Sequence, residues 1–137
     1  MDVPETTPTA AAALLRADPG AVYLDVRTPA EFEAGHPAGA RNVPLIVLDP
    51  ATHQPRPNHD FVAVVEREFP RGARLLVGCQ SGGRSLRACE ILRSVGYTDV
   101  TNVQGGFGGV RDAAGRIVVR GWHDEGLPVE TGAAKTA

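Results

Sequence analysis

An α/β domain, a mainly parallel β-sheet with helices on both faces, is the fold class this sequence predicts, on three observations. Short apolar runs at 21–26, 74–78 and 100–103 alternate with segments of helical period. The first two runs are apolar almost throughout, as a strand buried on both faces must be. Asp25, Cys79 and Gly105-Gly106 stand at or just beyond the ends of these runs. In open α/β sheets such strand ends form the rim where ligands bind.

The elements follow in order. Residues 1–8 read as a flexible arm, and Thr9 as the cap of a helix that Asp18-Pro19-Gly20 stops. After the first strand, Thr28-Pro29-Ala30-Glu31 combines a capping box with proline at the first helical position, and Gly35 ends that helix. A brief strand is expected within 39–44. Three prolines and no steady period make 45–59 a long surface loop. Asn58 or Asp60 caps a helix over 61–68 whose Phe61, Val64 and Val65 share one side. A further helix over 84–95 groups Ala88, Cys89, Ile91, Leu92 and Val95 on its apolar side. One domain is expected over 9–130, with a flexible tail at 131–137.

Composition narrows the function. The 137 residues carry a net charge of −2 and no basic, aromatic-studded run, which argues against nucleic acid as a partner. Two cysteines, without the spacing of a zinc site, point to no metal and to a reducing compartment. No apolar stretch is long enough for a membrane span or a leader core, so the reading is cytoplasmic and off the membrane.

The chemistry concentrates in Gly78-Cys79-Gln80-Ser81-Gly82-Gly83-Arg84-Ser85. A buried strand delivers a thiol into a glycine-bearing turn, and a helix starts just beyond. Inward backbone N–H groups and the helix N-terminus make an anion-attracting nest, in which a thiol is expected to ionise readily and act as a nucleophile. Gln80, Ser81, Gly82, Gly83, Arg84 and Ser85 are the candidate substrate-binding residues. Asp25 and Arg27 are candidate supporting residues; Arg27 is expected to pair with Glu31 or Glu33, and Arg84 to meet the donor anion or to pair with Asp25. His36 and Trp122 read as packing residues. Cys89 reads as a bystander on a helix face, and neither His53 nor Arg56 is assigned to the site.

These motifs resemble a known family. Leu24-Asp25-Val26-Arg27-Thr28-Pro29-Ala30-Glu31-Phe32, Gly35-His36 and Gly39-Ala40-Arg41-Asn42-Val43-Pro44 are similar to the N-terminal signature of rhodanese domains. Gly78 through Ser85 resembles their active-site loop. Gly105-Gly106 and Gly126-Leu127-Pro128-Val129 resemble their C-terminal signature. The likeness is greatest to single-domain bacterial rhodaneses and plant senescence-associated sulfurtransferases.

The resemblance implies a thiosulfate sulfurtransferase that needs no cofactor. Cys79 would take sulfur from a small anionic donor such as thiosulfate as a persulfide, then pass it to cyanide, a thiol or a protein acceptor. The expected assembly is a monomer or weak dimer. Two other readings stand beside it: a persulfide carrier or partner-binding module without turnover, and a phosphatase or arsenate reductase. The phosphatase pattern has five residues between cysteine and arginine, whereas only Gln80, Ser81, Gly82 and Gly83 separate Cys79 from Arg84. The sequence departs from the short rhodaneses by an insertion at 108–121, where Asp112 and Gly115 bracket a turn before Ile117-Val118-Val119, so a small hairpin is expected.

Overall fold

The computed structural model describes residues 2–133. Its elements are β1 (Glu5–Thr6), α1 (Pro8–Ala17), β2 (Val22–Asp25), α2 (Pro29–Ala34), β3 (His36–Pro37), β4 (Arg41–Asn42), β5 (Ile46–Leu48) and β6 (Pro55–Pro57). There follow α3 (Phe61–Glu68), β7 (Leu75–Gly78), α4 (Gly83–Ser94), β8 (Val100–Val103), β9 (Val110–Arg111), β10 (Ile117–Val119) and β11 (Val129–Glu130). The central sheet has the order β1-β8-β7-β2-β4, with every neighbouring pair parallel.

The period-2 alternation of β2 and β7 builds two cores. Leu24, Leu75 and Val77 face one way and bury Phe61 and Val65 of α3 with Ala88, Cys89 and Leu92 of α4. Tyr23 and Leu76 face the other way, against Ala11 and Ala12 of α1, Phe32 of α2 and Trp122. Burying each of the larger apolar side chains contributes about 1.5–3 kcal/mol. Helices therefore cover both faces, and the carboxyl ends of β2, β7 and β8 share one rim.

Three expectations need correction. Residues 1–8 are not simply a flexible arm: Glu5 and Thr6 pair with Asn102 and Val103 as the edge strand β1. The helix cap lies at Thr7, whose Oγ1 accepts from the Ala10 N–H, because Pro8 fits the first helical turn where no N–H is needed. Within the expected loop 45–59, β5 and β6 pair antiparallel with Val47 opposite Arg56. Pro55 and Pro57 are tolerated because this ribbon has free edges that do not call on their missing N–H groups. Thr131 to Ala133 of the expected tail are exposed, yet the Gly132 N–H donates to the Glu33 carbonyl; residues 134–137 lie outside the described residues, as does Met1.

Beyond β8 the chain turns through Gly105 to Gly109 and closes on itself, with the Gly109 N–H on the Gly105 carbonyl at 2.7 Å. β9 and β10 then pair antiparallel with a register irregularity between Ile117 and Val119. Gly121 returns so close to Gly109 that a Cβ on Gly121 would lie 2.2 Å from the Gly109 nitrogen. Asp124 ties the base, accepting from the Gly121 N–H at 2.8 Å and from Arg111 at 2.6 Å.

Candidate active site

Cys79 follows directly on β7 and its side chain enters the α3/α4 core side, 2% exposed. Two polar groups reach its sulfur. The Gly82 N–H donates to Sγ at 3.1 Å, and Ser85 Oγ lies 3.4 Å away. Gly82 is the cap of α4 with φ 119°, a conformation open to glycine at little cost, and it is what turns its N–H inward.

Ser85 is fully buried and has several acceptors for its single hydrogen: Asn102 Oδ1 at 2.5 Å, the Gly82 carbonyl at 3.1 Å and Cys79 Sγ. The contact to Asn102 is the shortest of the three. Rotation about the Cβ–Oγ bond brings the Cys79 sulfur within reach of the same hydrogen. Asn102 is oriented in turn from β1, since its Nδ2 donates to Glu5 Oε2 at 2.9 Å. The sequence reading missed both Asn102 and Glu5. The available signal was a lone amide inside the core strand Val100-Thr101-Asn102-Val103, since a buried amide needs partners.

The two arginines exchange their expected carboxylates. Arg27 turns back on Asp25, two residues earlier, through Nε at 3.0 Å and Nη2 at 2.7 Å; it does not pair with Glu31 or Glu33. Its remaining donors go to the Gly35 carbonyl at 2.7 Å and Gln80 Oε1 at 3.1 Å, and its guanidinium covers the Phe107 ring at 4.6 Å. Asp25 and Arg27 are both buried, so this is a fully enclosed ion pair bolting β2 to the cysteine loop through Gln80. The Gln80 side chain is thus held by Arg27.

Arg84 makes a two-pronged bond to Glu31, at 2.7 and 2.9 Å, not to Asp25. Glu31 also completes the capping box of α2, its Oε1 accepting from the Thr28 N–H and hydroxyl at 3.1 Å each. The Arg84 hydrogen bond, helped by Thr28 against partial burial, holds the Glu31 carboxyl down at about 2. Arg84 holds its proton more firmly than usual, chiefly through the same bond.

Other residues take structural places. His36 is buried, with Nδ1 2.7 Å from the Phe32 carbonyl and its ring stacked on Phe32. Trp122 is core, donating to the Pro128 carbonyl. Cys89 lies in the α3/α4 core, where burial pushes its thiol up to about 12, so at neutral pH it is a protonated bystander. The Tyr23 hydroxyl, raised above its ordinary range by burial, occupies the space under Gly78, where an added Cβ would come within 1.9 Å of it.

The glycine pair after β8 has a steric role in the site. A Cβ on Gly106 would sit 2.2 Å from the Cys79 carbonyl oxygen, at a φ of 52°. The next N–H groups, Phe107 and Gly108, donate to the Cys79 and Gln80 carbonyls at 2.8 and 2.9 Å. Gly106→Ala should therefore displace the base of the loop. The expected loss is about 2 kcal/mol or more in urea unfolding and at least about tenfold in the rate of reaction at the Cys79 thiol. A variant of unchanged stability and rate would show that the loop tolerates this displacement.

A thiol held by a helix-capping N–H and a serine hydroxyl at the carboxyl rim of a parallel sheet defines a class: α/β domains that present a single cysteine in the loop between a central strand and the helix after it. The chain belongs to the rhodanese-like family, matching the Rhodanese-like domain over residues 7–113. It is 38% identical over 108 residues to "Thiosulfate sulfurtransferase 16, chloroplastic" of Arabidopsis thaliana, covering 79% of this chain and 78% of that protein. It is 39% identical to "Senescence-associated protein DIN1" of Raphanus sativus over 77% of this chain, but spans only 56% of that protein. Among solved structures, Rv0390 from M. tuberculosis superposes with a TM-score of 0.78 at 31% identity, over 96% of this chain and 100% of that one. Among the described residues no helix is long and apolar enough to cross a membrane.

Proposed function

We propose that this domain is a sulfurtransferase that carries sulfane sulfur as a persulfide on Cys79, taking it from thiosulfate or a similar donor and passing it to cyanide or a thiol. The observation that carries this reading is the Gly82 N–H and Ser85 hydroxyl converging on Cys79 Sγ. The relative named for thiosulfate sulfurtransfer supports it. Two free cysteines suit a reducing compartment, which we take to be the cytoplasm.

The first step is displacement at sulfur. The Cys79 thiolate attacks the outer sulfur of thiosulfate, the new S–S bond forms, the old one breaks, and its electron pair leaves with sulfite. The transferred sulfur keeps the negative charge, and the Gly82 N–H, with Ser85 once its hydroxyl rotates, would stabilise the Cys79 sulfur to which it is bound. Attack by cyanide or a thiolate on that outer sulfur then regenerates the Cys79 thiolate. Asp25, Arg27 and the Gln80 side chain hold the loop.

Intact mass after incubation with thiosulfate tests the reading: the chain should gain one sulfur, and cyanide should remove it as thiocyanate with ping-pong kinetics. Stable loading with no turnover by any acceptor would make the domain a persulfide carrier instead. The short Cys79-to-Arg84 loop should give no useful hydrolysis of aryl phosphates. Cysteine-dependent phosphatase turnover matching the sulfurtransferase rate would overturn the assignment.

A further inference from the structure

The cysteine site contains two arginines and no unbalanced positive side chain between them. All of the Arg27 bonds lead to Asp25, the Gly35 carbonyl and Gln80. Arg84 stands at the start of α4, one residue before Ser85, and gives both of its terminal nitrogens to the two oxygens of Glu31. Glu31 is itself fixed by Thr28 through the α2 capping box. A carboxylate bound on both sides does not move aside cheaply for an incoming anion. What meets a donor at Sγ is therefore a set of neutral dipoles, the Gly82 N–H and the Ser85 hydroxyl.

We infer that Glu31 is a specificity-determining residue, a charge mask that cancels Arg84 and biases the site toward sulfur donors whose leaving group is a monoanion, namely alkyl persulfides, over the thiosulfate dianion. The inference rests on the sulfur-transfer reading above. With an ionised alkyl persulfide, R–S–S⁻, the Cys79 thiolate attacks the terminal sulfur, the donor's S–S bond breaks, and its electron pair leaves with R–S⁻. Cys79 is left as the same ionised persulfide that thiosulfate gives. The bonds made and broken match those of the thiosulfate reaction, but the site holds one negative charge fewer from encounter to release. Neutral dipoles lower the energy of such a charge less than a free guanidinium does, and the penalty grows with each added charge.

The test compares kcat/KM for thiosulfate and for 2-hydroxyethyl persulfide, with cyanide as acceptor, in four proteins. They are the wild type, Glu31→Gln, Arg84→Gln and the double variant. Glutamine at 31 keeps an oxygen for the Thr28 cap while releasing the Arg84 charge. The wild type should prefer the persulfide. Glu31→Gln should raise the thiosulfate-to-persulfide ratio about tenfold or more, mainly through KM, and added salt should shrink the gain. Arg84→Gln should lower the ratio by baring Glu31, and the double variant should return close to the wild-type ratio. A ratio within twofold of wild type in Glu31→Gln, or an unchanged or raised ratio in Arg84→Gln, overturns the inference. If Glu31→Gln does not fold, the Arg84→Gln arm decides alone. Failure of the parent reading looks different: neither donor would add sulfur to wild-type Cys79.

Discussion

Cys79→Ser should abolish the mass gain of one sulfur and reduce sulfur transfer to cyanide by about a thousandfold or more, because in the proposed reaction the covalent intermediate has no other place to form. Cys89→Ser is the control that gives this result meaning. Cys89 is completely buried among apolar side chains and its thiol is pushed up to about 12, so it offers neither access nor thiolate at neutral pH. The Cys89 variant should load sulfur at the wild-type rate. Both variants should unfold cooperatively, as near-isosteric replacements, with Cys89→Ser losing some stability because a hydroxyl replaces a sulfur in an apolar core. Loading that survives in Cys79→Ser and vanishes in Cys89→Ser would move the reaction to the other thiol.

The largest stability effect is expected at Asp25. Its carboxylate is 1% exposed and bonds both the main-chain N–H and the guanidinium of Arg27. Asp25→Ala leaves a buried guanidinium without its counter-charge, which costs about 3–5 kcal/mol. Urea unfolding should show a loss of that size, and thermal unfolding a drop of roughly 10–20 °C. Gln80 should lose its fixed partner at the same time, so sulfur loading should fall even where the variant is folded. Exposed pairs set the contrast: Arg74→Ala, which breaks contacts with Asp99 and Asp18, should change stability by no more than about 1 kcal/mol. A loss below 1 kcal/mol at Asp25 would mean that water or a neighbour replaces the carboxylate.

Much of this was readable from the sequence because local and global signals agree. The buried parallel strands announce themselves as Leu75-Leu76-Val77-Gly78 and Val100 to Val103, and the α2 cap is complete in Thr28-Pro29-Ala30-Glu31. The helix expected over 61–68 is α3 residue for residue. What stayed hidden was partner choice across the sheet. Whether Arg27 meets Asp25 or Glu31 depends on where α2 and α4 settle, and that is tertiary information. Glu31 shows the limit well, since its capping role is local and legible while its bond to Arg84 joins residues far apart in sequence. Glu5 was hidden for the same reason: two residues of edge strand carry almost no pattern until β8 pairs with them. The β5–β6 ribbon was missed because proline counts against strand except at an open edge.

The meeting of Gly109 and Gly121 has a consequence for how this lineage can vary. The chain leaves the domain and re-enters it at one point, with Arg111 and Arg120 fastening the base of the ribbon to Asp124 and Glu125, so the outer turn around 112–116 is a detour beyond those ties. Lengthening such an excursion is entropically mild, about 0.6 kcal/mol per doubling. The Trp122 and His123 N–H groups bond back to Gly106 and Phe107 whatever lies between. Descendants can therefore trim, extend or replace the segment, even with a whole folded module, while the cysteine loop keeps its geometry, and an engineer seeking a place to graft a reporter has the same doorway.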